Sequence, residues 1–236
     1  MIKNNKEGNR TLIIAMMVLL FLPLTFFIYF FYLHDTTPSP LKHLPMLSTT
    51  SLPPFQFQSH NGKVITQDSL LGKIVIADFF FTTCPGICPR MSDNMKLLQD
   101  SIMKNITKFQ SDIQLVSHTV NPSTDSVPVL ADYAKLHGVN PKLWWLVTGE
   151  KDSLYNLATK FYKLPAMDLT GDTANLAEPF VHSERFVLLD REGFIRGYYD
   201  GTDSAMVAQL WKDLIILDIV YHNKDRRDKR ESFRNQ

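Results

Sequence analysis

The chain has 236 residues and a mass of 27.1 kDa, with 44% of residues hydrophobic and 21% charged. That is the balance of a globular protein of one or two domains, and it excludes disordered and collagen-like chains. Lys and Arg number 25 against 24 Asp and Glu, a net charge of +1, without the basic excess that marks a nucleic-acid partner.

Both ends of the chain are basic and the stretch between them is mildly acidic. Residues 11–33 (TLIIAMMVLLFLPLTFFIYFFYL) carry no charge, and as a helix they extend roughly 34 Å, enough for a hydrocarbon core of ~30 Å. The run is longer than the apolar part of a signal peptide and lacks a small-x-small cleavage site, so it is expected to stay as a transmembrane helix. Lys3, Lys6 and Arg10 precede it and Asp35 follows it, which predicts residues 1–10 as a cytoplasmic stub and exports the rest. With no Arg- and Ser-rich transit peptide, the expected site is a bacterial inner membrane with the domain in the oxidising periplasm.

Residues 34–54 are rich in Pro, Ser and Thr and read as an extended spacer. Residues 55–222 are expected to form one domain and 223–236 a solvated, disordered basic tail, for which anionic headgroups are the sharper reading. Segments 55–58 and 63–66 flank Asn61-Gly62, a strong hairpin signal. The run 73–81 (KIVIADFFF) suits a buried central strand. Met91, Met95, Leu98 and Ile102 then recur at helical spacing, with Pro89 as the first helical residue. Strands at 113–120 and 143–147 and helices at 126–137 and 153–164 follow. The end is a hairpin, 184–189 and 194–199 about an Asp-Arg-Glu-Gly turn, and an amphipathic helix at 206–221. The alternation predicts an α/β fold with βαβ units, and the order of elements is thioredoxin-like, with an added N-terminal β-hairpin and a membrane tether.

The cysteines lie in Thr-Thr-Cys84-Pro-Gly-Ile-Cys88-Pro, directly after the predicted central strand. Each precedes a proline, which disfavours helical backbone, so both are expected in a loop with Cys88 at the helix N-cap. The positive end of the helix then predicts a lowered thiol pKa. Gly86 lets the three-residue link turn so that both sulfurs face one point. A Cys-x3-Cys loop can supply either the ~2.05 Å of a disulfide or the wider separation of two thiolates on one metal. The link is one residue longer than in redox Cys-x2-Cys pairs, which leans toward metal and leaves a structural disulfide or two inert thiols as the alternatives.

Two thiolates leave a metal under-coordinated, and seven histidines are available. His34 and His43 fall in the spacer, His60 beside the hairpin turn, His137 and His222 at helix ends, and His118 inside a strand, where a core role is expected. His182 stands on the loop leading into the last hairpin, which in a thioredoxin-like order lies beside the dithiol. Thiolates select Cu(I) and imidazole also accommodates Cu(II), so a Cys2His set suits copper in both states; zinc, the competitor, usually asks for a fourth ligand. Met91 and Met95 read as core.

The segments ADFFFTTCPGICPRM (77–91), SHTVNPSTDSVPVLADYAKLHG (117–138) and VHSERFVLLDREGFIRGYYDG (181–201) resemble the Sco/SenC family. Its members are membrane-anchored, thioredoxin-like copper-binding proteins that help assemble the copper A centre of cytochrome c oxidase. The resemblance covers nearly the whole chain and maps the family's copper ligands onto Cys84, Cys88 and His182. Many members carry an acidic residue where Gly86 stands and Asp where Val181 stands, so the groups around the ligands differ here. The implied function is a copper metallochaperone whose partners are the oxidase's copper-bearing subunit and a thiol reductant protein. The alternative is a thiol:disulfide reductase, with Cys84 and Cys88 as its redox-active pair, that keeps the subunit's cysteines reduced. A sensor lacks an output module, and a peroxidase lacks its surrounding pattern.

Overall fold

A computed structural model describes residues 15–19, 21–29, 44–105, 109, 112–164 and 183–234. It divides into two units, residues 1–42 and 43–236. In the first, 15–19 and 21–29 are helical and their large apolar side chains are exposed. The predicted span 11–33 lies partly outside the described residues, and among those described no helix is long and apolar enough to cross a membrane.

The second unit is a seven-stranded sheet in the order β2-β1-β5-β4-β3-β6-β7. β1 (Gln56–Ser59) and β2 (Val64–Thr66) form the expected hairpin, with Gly62 at φ 79°, a conformation glycine adopts without strain. β3 (Ile74–Phe80), β4 (Ile113–Thr119) and β5 (Trp144–Thr148) run parallel. β6 (Arg185–Leu189) and β7 (Ile195–Asp200) complete the sheet as an antiparallel hairpin against β3. Every residue of β3 and β4 is buried, as the apolar run of β3 requires.

The crossover helices α1 (Ile87–Lys104) and α2 (Val127–Leu136) share one face of the sheet, where the Tyr133 hydroxyl meets Ser92 at 2.8 Å and its ring packs on Phe80. The long α4 (Ser204–Arg234) packs on the same face, with the Tyr199 hydroxyl donating to Asp213 at 2.7 Å. The opposite face receives Tyr162, which follows α3 (Lys151–Asn156) and a π-helical turn, Leu157–Phe161. The single helix expected at 153–164 is thus two shorter pieces.

Two expectations are corrected. Residues 44–54 are not a free spacer. Leu44 and Leu52 are buried, Leu47 N–H donates to the Ile195 carbonyl at 2.7 Å, and Leu52 N–H donates to that of Gly193 at 3.0 Å. The arm thereby covers the outer edge of β7, an edge that would otherwise be left unpaired. The basic tail is helical rather than disordered: α4 continues through Arg234, exposed from Arg226 onward.

Candidate metal centre

The dithiol loop leaves the C-terminal end of β3. Thr82, two residues before Cys84, is held by Asp125 of the β4–α2 loop, whose carboxylate accepts from the Thr82 hydroxyl at 2.5 Å and more weakly from its N–H at 3.3 Å. The same carboxylate accepts from the Thr119 hydroxyl, and Asp125 is completely buried. Cys84 N–H turns back to the Phe81 carbonyl at 3.3 Å. Both cysteines are free thiols, 6% and 3% exposed, and Cys84 is close enough to Cys88 to raise its thiol pKa. The structure therefore brings together the two sulfurs that the sequence singled out.

Their setting departs from expectation in two ways. Helix α1 begins at Ile87 with Gly86 as N-cap, so Cys88 is the second helical residue and Pro89 the third. The proline is tolerated because N–H groups of the first turn have no partner within the helix. The Cys88 thiol is not lowered. Burial pushes it up, and the neighbouring Cys84 and the charge of Asp78 add to this, outweighing a backbone hydrogen bond from Phe81 that acts the other way. Cys88 is consequently held as a thiol, and a soft metal must displace its proton to bind there.

Sequence reasoning missed Asp78 and the Asp125–Thr82 tie. Asp78 is 2% exposed on β3, opposite Ser117 of β4, and its Oδ1 has no partner among the described residues. Burial raises its carboxyl to about 7. His118 is the core histidine expected. Its ring stacks on Phe79 with centroids 4.9 Å apart, between Phe57 and Tyr162, and its Nδ1 lies 3.3 Å from the Asp78 carbonyl oxygen. Burial lowers it to about 4, so it stays neutral. It alternates with Asp78 and Ser117 across the sheet and faces away from the helix that carries Cys88. Met91 and Met95 are fully buried core.

His182, His34 and His43 lie outside the described residues. The chain immediately after His182 is tied to the dithiol helix. The Glu184 carbonyl accepts from Gly201 N–H at 2.5 Å, the Gly201 carbonyl accepts from Asn94 of α1 at 2.7 Å, and a Cβ at Gly201 would stand 3.2 Å from Met91 Cε. β6 runs antiparallel to β3 and so starts at the end of β3 from which the cysteine loop departs. Of the other described histidines, His60 accepts from Leu146 N–H at 3.2 Å, His137 packs on Tyr133, and His222 lies on α4. Among the described residues no group of three His, Cys, Asp or Glu forms a metal cluster.

The chain belongs to the SCO1/SenC family, whose model matches residues 46–214. It is 28% identical over 162 residues to the SCO1 protein homolog of Bacillus subtilis, covering 68% of this chain and 79% of that protein. To the SCO2-like protein of Rickettsia felis it is 30% identical over 159 residues, covering 67% and 74%. A SCO1/SenC family lipoprotein from Bacillus anthracis superposes with a TM-score of 0.62 at 26% identity, over 71% of this chain and 94% of that one. Yeast Sco1 with copper bound has a TM-score of 0.54 at 27% identity, covering 69% and 88%. Arabidopsis thaliana ScoI with copper bound gives 0.55 at 26%, covering 72% and 98%. The family resemblance and the thioredoxin-like fold expected from the sequence are both upheld.

Proposed function

We propose that this protein is a membrane-anchored copper metallochaperone that binds copper through Cys84, Cys88 and His182 and assists assembly of the copper A centre of cytochrome c oxidase. The observation that carries this reading is the adjacent pair of free, buried thiols at the end of β3 in a family whose solved members include copper-bound forms. The donor set fits the cargo, because two thiolates satisfy Cu(I) and an imidazole from the loop before β6 accommodates Cu(II). Binding Cu(I) as a dithiolate releases two thiol protons, and transfer proceeds as an incoming thiolate of the oxidase subunit enters before a donor ligand leaves. The anchor is the apolar segment 11–33, the domain stands in the periplasm of a bacterial inner membrane, and a thiol reductant protein restores the dithiol after oxidation.

A second reading, thiol:disulfide reductase, is favoured by the proximity of two free, buried thiols on one short loop. In that reaction a partner disulfide gains two electrons and two protons while Cys84 and Cys88 become a disulfide. His182 separates the two readings, since dithiol exchange does not require it. Anaerobically reduced full-length protein titrated with Cu(I) and Cu(II) is expected to bind one copper per chain. Thiolate-to-Cu(II) absorption should be abolished in Cys84→Ser and in Cys88→Ser and altered or lost in His182→Ala. Copper binding that is indifferent to His182 would sink the three-ligand site.

A further inference from the structure

We infer that the exposed end of α4 is a docking surface for anionic phospholipid headgroups, seated at the corner of the domain where the N-terminal arm attaches. The inference rests on the anchored reading above, which supplies a bilayer within reach.

The packed face of α4 ends at Tyr221, and residues 226–234 are all exposed. They carry Arg226, Arg227, Lys229, Arg230 and Arg234 against Asp228 and Glu231, a net +3 over about 12 Å of helix. The charges are sorted by face. At about 100° per residue, the five cations and Phe233 occupy an arc of roughly 160°, while Asp228, Glu231 and Ser232 take the opposite side. Tyr221 and Asp225, which bind the domain, project on that acidic side, so the basic arc points away from the domain. Phe233 is 78% exposed, an aromatic side chain that suits the headgroup level. Among the described residues none of the five cations has an ion-pair partner.

The position of this helix end is fixed by the turn at 190–193. Glu192 accepts from the Tyr221 hydroxyl and from Lys224 at 3.2 Å. Arg191 pairs with Asp225 at 2.9 Å and lies 5.1 Å over the Tyr221 ring. The same turn holds the arm, with the Ser51 hydroxyl donating to the Glu192 carbonyl at 2.9 Å and Leu52 N–H donating to that of Gly193. The arm reaches Leu44, whose carbonyl accepts from Arg196 at 3.2 Å. Ten residues separate Leu44 from the end of the apolar segment, a contour of at most about 40 Å. This turn lies at the start of β3, since Leu189 pairs with Val75, whereas the dithiol leaves the other end of that strand. Docking through α4 therefore holds the bilayer at one end of the sheet and presents the cysteines at the other. The arc lies on an exposed helix surface, and its cations, without ion-pair partners among the described residues, match a diffuse anionic surface.

The test places full-length protein in nanodiscs of phosphatidylcholine alone or mixed with phosphatidylglycerol and follows amide hydrogen exchange at residues 226–234. Exchange is expected to slow about tenfold in the anionic discs and to recover in roughly 0.5 M salt. In the variant R226Q/R227Q/K229Q/R230Q it should be the same in both lipids. Unchanged exchange in β4 of that variant verifies its fold. Equal exchange in the two lipids overturns the inference, as does protection that appears only when the oxidase subunit is added. Failure of the anchored reading is scored separately, as release of the full chain from cell membranes by alkaline carbonate.

Discussion

Replacing Asp125 with alanine removes the acceptor that ties the dithiol loop to the β4–α2 loop. Two hydroxyl donors lose a charged partner, Thr82 at 2.5 Å and the fully buried Thr119, whose own oxygen also receives Asn121 N–H at 2.9 Å. A hydrogen bond to a charged group contributes ~1.5–3 kcal/mol, and part of that is returned when a buried carboxylate is removed. The expected cost is about 3–5 kcal/mol, or roughly 10 °C in melting temperature for a domain of this size. Thr82→Val removes only one of the two bonds and should cost about 1–2 kcal/mol. Because the partners touch, a double-mutant cycle should return a coupling of about 1.5 kcal/mol. Urea unfolding of reduced, metal-free protein gives the stabilities, and Cu(I) competition titration of Asp125→Asn, which keeps one acceptor, should show weakened binding as the loop loosens. If Asp125→Ala stays within about 1 kcal/mol of wild type, or if the two changes are additive, the tie does not hold the loop and the reasoning fails.

The buried carboxyl and imidazole make opposed pH predictions. Asp78 is protonated near 7 in the fold against 3.8 in the unfolded chain, so its contribution is full below about pH 4 and is lost as pH rises through 7, by about 4 kcal/mol. His118 stays neutral down to about 4 against 6.5 unfolded, so its contribution is full above pH 6.5 and is lost as pH falls to 4, by about 3 kcal/mol. Between those limits the two slopes cancel, and urea midpoints of wild type should be nearly flat. Asp78→Asn should expose the acid-side loss, and His118→Phe, which keeps the aromatic stack, should expose the loss on raising pH; a flat profile in both variants would refute the assignments. Gly149→Ala drives a Cβ to within 2.5 Å of the Phe57 ring and should cost about 2–3 kcal/mol by thermal unfolding. Gly86→Ala, with open space around the added atom, should change stability by less than about 0.5 kcal/mol.

What was legible in the sequence is what periodicity and turn chemistry encode. The run 73–81 gave β3, Asn61-Gly62 the first hairpin, Asp-Arg-Glu-Gly the second, and the strand–cysteine–helix order the place of the dithiol. The arm at 44–54 escaped because it docks by backbone hydrogen bonds to an edge strand, which leave no side-chain period. The extension of α4 escaped because past Tyr221 no apolar stripe marks it; good helix formers and ion pairs to Arg191 and Glu192 hold it instead. Asp78 was hidden inside an apolar run, and Asp125 is 43 residues from the threonine it binds. The thiol pKa was misjudged because the helix terminus can be read from the sequence and burial cannot. His182 was selected among loop histidines by resemblance, and the contacts of Glu184 and Gly201 explain why the chain beside it approaches α1.

The docked arm also sets how far the domain can travel. Within the arm at 44–54, Leu44, Leu47, Ser48, Ser51 and Leu52 hydrogen-bond to β7 or its turn, which leaves the ten residues 34–43 between the docked arm and the apolar segment. Full extension gives about 40 Å rather than roughly 75 Å, and the volume swept above a fixed point shrinks several-fold. A single site confined to a hemisphere of that radius is present at an effective concentration on the order of 10 mM. On the membrane-anchored function proposed above, an acceptor embedded in the same membrane meets the dithiol by a short lateral search, whereas one standing much above the surface is beyond its patrol.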